Sequence, residues 1–341
     1  MGEQIRNCKE VEALGQKKDS GAVERWIRAF CIITGFLFIS LQVLWLFINR
    51  KAPPAILPPA GETIDREAPF KFAVVSDTRG NRKIFQQGLV RIKEMEPALI
   101  LHAGDIAQRL NERQFNWILR GIDEIDLSIP FCFVPGDHDI DPTSSSIEER
   151  YRLYNRAFGP RRYWFGCGNA LFVAFDNSIE TVTEETLAWL EEVMNSYRGA
   201  YQLCFVFFHV PPDAPETGHD LGPEDTRKIM SVLSRHNVSA VFAGHLHTYE
   251  HYKTKDIPIY STGGLGEENR VGQPHCFLVV SVGQDGTFST EKHEVAWGHT
   301  GDSLEYLFRV KFPSLSVLVS GLILLTIGAL LGTDKSLIHA A

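Results

Sequence analysis

Five short apolar runs in this chain each end in aspartate or histidine, and that recurrence limits the fold more than any other feature. The run 70–76 is followed by Asp77, the run 98–102 by Gly104-Asp105, and the run 131–134 by Gly136-Asp137-His138-Asp139. The run 201–208 stops at His209, and the run 240–243 stops at Gly244, ahead of His245 and His247. Apolar runs of this length, bounded by turn-forming residues, read as buried strands. Loops at the carboxyl ends of strands in α/β sheets face a common crevice. One aspartate after a strand is ordinarily a turn former, and two histidines after a glycine are ordinarily a solvated turn. Five such loops together point instead to a shared polar centre. Oxygen and nitrogen donors without thiolate suit Mn, Fe or Zn.

Helical patterns separate these strands. They cover 82–94, 111–124, a stretch opened by the capping-box pattern Ser144-Ser-Ser-Ile-Glu-Glu149, 183–197, and 223–236 with proline and acids in its first turn. Further strands are expected at 170–175, 257–262, 276–282 and 287–294, the last two joined at Asp285-Gly286. Alternation early and strands late predict a layered α/β sandwich with mixed sheets.

Two uncharged runs lie outside this pattern, at 29–48 and 312–331. As helices each would span about 30 Å, the thickness of a bilayer core. They are read as two transmembrane helices flanking the α/β domain. The chain then divides into a polar tail (1–28), the first span, a spacer (49–69) stiffened by Ala52-Pro-Pro-Ala-Ile-Leu-Pro-Pro59, the domain (70–300), the second span and a short tail (332–341). Lys17, Lys18, Arg25 and Arg28 precede the first span. Since the first helix usually dominates orientation, the expectation is an integral membrane protein whose domain is extracytoplasmic. A formal charge of -8 argues against nucleic acid as a partner. Cys132, Cys204 and Cys276 sit in strand-like runs, and no metal-binding cysteine spacing occurs, so they read as structural thiols.

In order along the chain, Asp77, Gly104-Asp105, Gly136-Asp137-His138-Asp139, His209 and Gly244-His245-Leu246-His247 resemble the motifs of the calcineurin-like metallophosphoesterases. The resemblance runs from about Phe70 to Tyr252, and Gly-His-x-His-x-Tyr-Glu is similar to the purple acid phosphatase branch. It implies a four-layer αββα sandwich with two mixed sheets and a pair of metals about 3.5 Å apart. It also implies that Asp105 bridges them, that Asp77 and His247 bind the first, and that Asp137, His209 and His245 bind the second. His138 would contact the phosphate and protonate or stabilise the leaving oxygen, with Asp139 orienting it as an acceptor. The implied activity is hydrolysis of phosphomonoesters or phosphodiesters, with a metal-activated hydroxide attacking phosphorus in line. Anchoring at both ends suggests a lipid-linked or envelope substrate.

The sequence departs from the family at three places. Asp137 stands where Asn is usual, Gln108 where the purple branch has tyrosine, and Arg79 where most members have histidine. Arginine stays protonated and cannot ligate. The first metal keeps only Asp77, Asp105 and His247, with His219 a further candidate. The expectation is therefore one or two metals per domain, one of them tight, with the first position weak or empty and Arg79 serving as a phosphate clamp. These departures also keep open a binding or regulatory protein on a degenerate phosphoesterase scaffold. Arg161 and Arg162 read as a solvated basic turn or as a site for a phosphorylated ligand.

Overall fold

The computed structural model describes residues 61–295 except 80, 126, 215–218 and 267–272, and outside that range Trp26 alone. The chain divides into two compact units, Met1–Ala52 and Pro53–Ala341, and the architecture below is that of the second. The strands are β1 (Thr63–Ile64), β2 (Phe70–Val75), β3 (Leu99–Ala103), β4 (Phe131–Val134), β5 (Tyr163–Cys167), β6 (Ala170–Ala174), β7 (Leu203–Phe207), β8 (Ala240–Ala243), β9 (Glu250–Thr254), β10 (Ile257–Ser261), β11 (His275–Val282) and β12 (Phe288–Val295). The helices are α1 (Arg82–Glu94), α2 (Glu112–Asp123), α3 (Ile147–Phe158), α4 (Glu184–Tyr197) and α5 (Pro223–Arg235).

Five strands form one sheet in the order β12-β11-β2-β3-β4, and seven form another in the order β1-β5-β6-β7-β8-β10-β9. Each has a parallel centre: β2-β3-β4 in one, flanked by antiparallel β11 and β12, and β6-β7-β8-β10 in the other, where β9 and β5 join antiparallel and β1 pairs in parallel with β5. Both sheets are mixed, as expected.

Alternation along the strands sets the layers. In β2, Phe72 and Val74 enter the core between the sheets, while Ala73 and Val75 face the helices. The phenyl ring of Phe72 meets Phe172, Phe205 and Phe242 across that core, with centroids 5.1, 5.1 and 5.6 Å apart. Losing such a ring typically costs about 3–5 kcal/mol. A second cluster joins the outer face of the five-stranded sheet to Phe85 and Leu89 of α1, Phe115 and Ile118 of α2, and Tyr154 and Phe158 of α3. A third packs Leu190 and Val193 of α4 and Ile229 and Leu233 of α5 on the other sheet. The result is helices, sheet, sheet, helices.

The helix starts follow local chemistry. The side chains of Asn111, Ser146 and Thr183 accept from the backbone N–H of Arg113, Glu149 and Thr186, satisfying donors that the first turn leaves without partners. Helix α5 opens on Pro223 with Glu224 and Asp225 in its first turn. The two runs expected to cross a membrane, 29–48 and 312–331, lie outside the described residues. Among the described residues no helix is long and apolar enough to do so.

Candidate active site

Apart from His219, which lies between β7 and α5, the expected site residues sit just after the ends of strands. Asp77 follows β2, Asp105 follows β3, and Asp137, His138 and Asp139 form a short 3-10 turn after β4; His209 follows β7, and His245 and His247 follow β8. Three loops come from one sheet and two from the other, so the site lies on the seam between them. Close approach of these loops needs glycine at 104. With φ at 87°, a β-carbon there would stand 2.6 Å from His209 Nδ1.

Asp77, Arg79, Asp105, His245 and His247 all take left-handed backbone conformations, with φ from 46° to 70°. Such residues cost about 1–3 kcal/mol each where the conformation is sparsely populated, and they cluster at functional sites. Cross-loop hydrogen bonds hold them. Asp77 N–H donates to Gly104 O at 3.0 Å, Arg79 N–H to Asp105 O at 3.1 Å, and His245 N–H to the two Asp77 carboxylate oxygens at 3.2 and 3.1 Å.

One half of the centre is a convergence of acceptors. His209 donates its Nδ1 proton to Ala103 O at 2.8 Å, which turns Nε2 inward. That nitrogen lies 3.1 Å from Asp137 Oδ1, 3.4 Å from Asp105 Oδ1 and 3.2 Å from His245 Nδ1. His245 Nδ1 is in turn 3.4 Å from Asp137 Oδ1. Buried acceptors facing one another are costly unless a positive charge sits among them. Burial opposes a charge on His209, yet Asp105 and Asp137 outweigh it and raise its pKa well above the ordinary value. Burial likewise opposes the Asp137 charge, but His209 and His245 hold that carboxyl below the usual range. Asp105 is held at about 2 against burial by His209 and Arg79. The cluster therefore holds a positive charge on His209, a proton whose place a metal ion can take. Asp137, His209 and His245 offer ligand atoms within 4.8 Å of one another, as do Asp77, Asp105 and His209, and Asp105, Asp137 and His138. This donor set fits a divalent metal.

The other half is different. Asp77 Oδ1 lies 3.6 Å from His247 Nε2, but His247 belongs to none of those three groups among the described residues. The Arg79 guanidinium fills the space. Its Nη2 is 2.6 Å from Asp105 Oδ2 and 3.3 Å from His247 Nε2, and its Nη1 donates to His138 Nε2 at 2.7 Å.

Asp139 does not orient His138. Its buried carboxylate accepts from the backbone N–H groups of Ile106, Ala107 and Gly136 at 2.9–3.0 Å, because an oxygen sealed inside the 3-10 turn must take the donors that line it. Burial, and then the Asp105 charge, push its pKa up to about 7 against those three bonds. Asp139 thus ties the β3 loop to the β4 loop. The acceptor for His138 Nδ1–H is the backbone carbonyl of Gln108, at 2.7 Å. No side-chain identity reports a carbonyl's position, so the sequence held no signal for this role. Asn177 is a second addition: its Oδ1 accepts from His209 N–H at 3.0 Å and Val210 N–H at 3.1 Å, fixing the His209 loop. A buried Asn just past a strand was the available hint. His219 has its ring 6.3 Å from that of His245, on the side of the acceptor cluster. Arg161 pairs with the buried Asp176 at 2.6 Å and lies over the Tyr151 ring, so it forms a structural ion pair and not a solvated turn.

An α/β two-sheet scaffold whose strand ends gather aspartates and histidines at one seam is the architecture of a metal-centred hydrolase. Over residues 70–249, more than half its length, the chain matches the calcineurin-like phosphoesterases, and it belongs to that family. Among solved structures it is similar to a dimetal phosphatase from Danio rerio, at 14% identity, covering 67% of this chain and 97% of that one, with a TM-score of 0.52. It is similar also to a purple acid phosphatase from yellow lupin (Lupinus luteus) seeds, at 14% identity, covering 67% of this chain and 52% of that one, with a TM-score of 0.54. At such identities the likeness is one of fold. No curated protein sequence matches the chain.

Proposed function

We propose that this chain is a membrane-anchored, metal-dependent phosphoesterase that hydrolyses phosphomonoesters or phosphodiesters. The observation that carries the reading is the convergence of Asp105, Asp137, His209 and His245 ligand atoms on one point, where a metal ion can take the place of the proton that His209 otherwise holds against two carboxylates. These four residues would hold Mn, Fe or Zn, which would supply Lewis acidity towards a phosphoryl oxygen and an activated oxygen nucleophile near neutral pH. The residues around it do the rest. The Arg79 guanidinium points two nitrogens into the same space and can hold phosphoryl oxygens as a fork. His138 turns Nε2 towards that space because Gln108 O fixes Nδ1, and once the Arg79 fork that now donates to it turns to the phosphoryl oxygens, Nε2 can carry a proton to the leaving oxygen. Asp139 and Asn177 keep the loops in register. The two apolar runs at 29–48 and 312–331 would place this site beside a bilayer with the domain outside the cytoplasm, which favours a lipid-linked or envelope phosphoester.

One observation favours a second reading. Arg79 is already ion-paired with Asp105, as in a scaffold that binds a phosphorylated ligand without turning it over. The test is hydrolysis of generic phosphomonoester and phosphodiester substrates by the full chain in detergent, with and without Mn, Zn or Fe. Metal-dependent turnover that His209→Ala abolishes is the expected result. Metal and phosphate binding with no turnover of any ester would favour the second reading.

A further inference from the structure

The geometry points to Arg79 as the permanent second cation of this centre: we infer that it takes the place of the first metal, and that Asp105 bridges one metal and a guanidinium. The inference rests on the phosphoesterase reading and specifies the metal content of that same site.

Three observations carry it. First, two of the three residues that a first metal would need, Asp105 and His247, lie against the guanidinium, while Asp77 accepts from His245 N–H. Asp105 Oδ2 lies 2.6 Å from Nη2, and His247 Nε2 lies 3.3 Å from the same nitrogen. Second, Asp105 divides its oxygens. Oδ1 faces His209 Nε2 at 3.4 Å and accepts from His138 N–H at 3.1 Å, while Oδ2 serves the guanidinium. Third, Arg79 is built in rather than swung in from solvent. Its backbone is held at φ 46° by the N–H bond to Asp105 O, and its side chain is 8% exposed.

Charge agrees with geometry. Asp77, Asp105 and Asp137 bring three negative charges to the inner set, and one divalent ion plus one guanidinium balances them. Asp139 is taken up by three backbone N–H groups outside that set. A second divalent ion would overcharge the site beside a cation that cannot lose its proton. A tetrahedral phosphoryl group would then meet a metal on one side and a planar fork of donors on the other.

The experiment loads the full chain, purified in detergent, with Mn2+ and dialyses it. Bound manganese is counted by elemental analysis, and electron paramagnetic resonance distinguishes an isolated ion from an exchange-coupled pair. Wild type should hold one ion with an isolated-ion spectrum. Arg79→Lys keeps the charge and should stay at one. Arg79→His removes the fixed charge, adds an imidazole donor, and should take up a second, coupled ion. Two coupled ions in wild type would overturn the inference and leave the phosphoesterase reading standing. A folded Arg79→His protein that holds only one ion would overturn it as well. A folded wild type that binds no manganese, zinc or iron would remove both readings together. The wild-type count decides the matter even where a variant fails to fold.

Discussion

Gly136 is the position where a single methyl group should disable the centre without replacing any ligand. A β-carbon built there lies 2.1 Å from Asp105 Oδ1, 2.4 Å from Asp105 N and 2.8 Å from Asp105 Cγ. Ordinary contact begins near 3.4 Å, so the nearest atom must retreat by about 1.3 Å. Asp105 is fully buried, and one of the three close atoms is its backbone nitrogen, so a rotamer change cannot carry all of them away. Its Oδ1 is also the atom that accepts from His138 N–H and faces His209. Overpacking of this kind costs about 1–3 kcal/mol. At about 2–4 °C per kcal/mol for a domain of this size, Gly136→Ala should melt roughly 2–12 °C lower. Metal affinity should suffer more, because ligand positions tolerate about 0.2 Å. Changes one shell out already cost about 10–100-fold, and a displaced ligand should reach at least that. Metal titration calorimetry and a thermal melt by circular dichroism on the full chain measure both quantities. Gly199→Ala is the control, because nothing lies within 4 Å of its β-carbon; it should leave both unchanged or stabilise slightly. Wild-type affinity and melting temperature in Gly136→Ala would refute the packing argument.

Other expectations follow from the same geometry. His138→Ala should retain its metal and lose about 10²–10⁴-fold in turnover, the usual contribution of a general acid; unchanged turnover on a substrate that wild type cleaves would remove the role. His102 is sealed in the core with Nε2 against Thr78 Oγ1 at 2.7 Å, and burial, helped by neighbouring His209, lowers its pKa from 6.5 to about 3. The unfolded chain therefore binds the extra proton between those values. Stability should rise with pH from about 3 to 6.5, by up to about 1.4 kcal/mol per pH unit from this group, and its contribution should be flat above. Denaturant melts across that range should show a shallower slope for His102→Gln, and an identical slope would refute the assignment.

Much of the scaffold was legible because its signals are local. Strands β2, β3, β4, β7 and β8 and helices α1, α2, α4 and α5 fall within two residues of the expected bounds, since each is a short apolar run or a 3.6-residue periodicity between turn formers; α3 begins at Ile147, inside the capping pattern expected to open it. What escaped is polar or very short. The edge strand β9, Glu250–Thr254, alternates charged and half-buried residues and reads as loop. Strand β5 opens next to two arginines and includes a glycine. The two-residue strand β1 has no pattern at all. At the site, residue types and order were enough to collect Asp77, Asp105, Asp137, His209, His245 and His247 as candidates. The wiring was not legible. That Asp139 serves backbone N–H groups, that a carbonyl orients His138, and that Arg79 reaches His247 across 168 residues of sequence are facts of three-dimensional contact.

The central claim is that the metal held by Asp105, Asp137, His209 and His245 makes this chain a phosphoesterase. The most direct measurement strips the full chain with chelator and titrates Mn2+ back, following bound metal and the hydrolysis of p-nitrophenyl phosphate and bis(p-nitrophenyl) phosphate in the same samples. At least one ester should be cleaved at a rate that rises in proportion to occupancy and levels off when the site is full, with His209→Ala failing on both counts. A filled site that cleaves neither ester, or cleavage that does not depend on bound metal, would contradict the account.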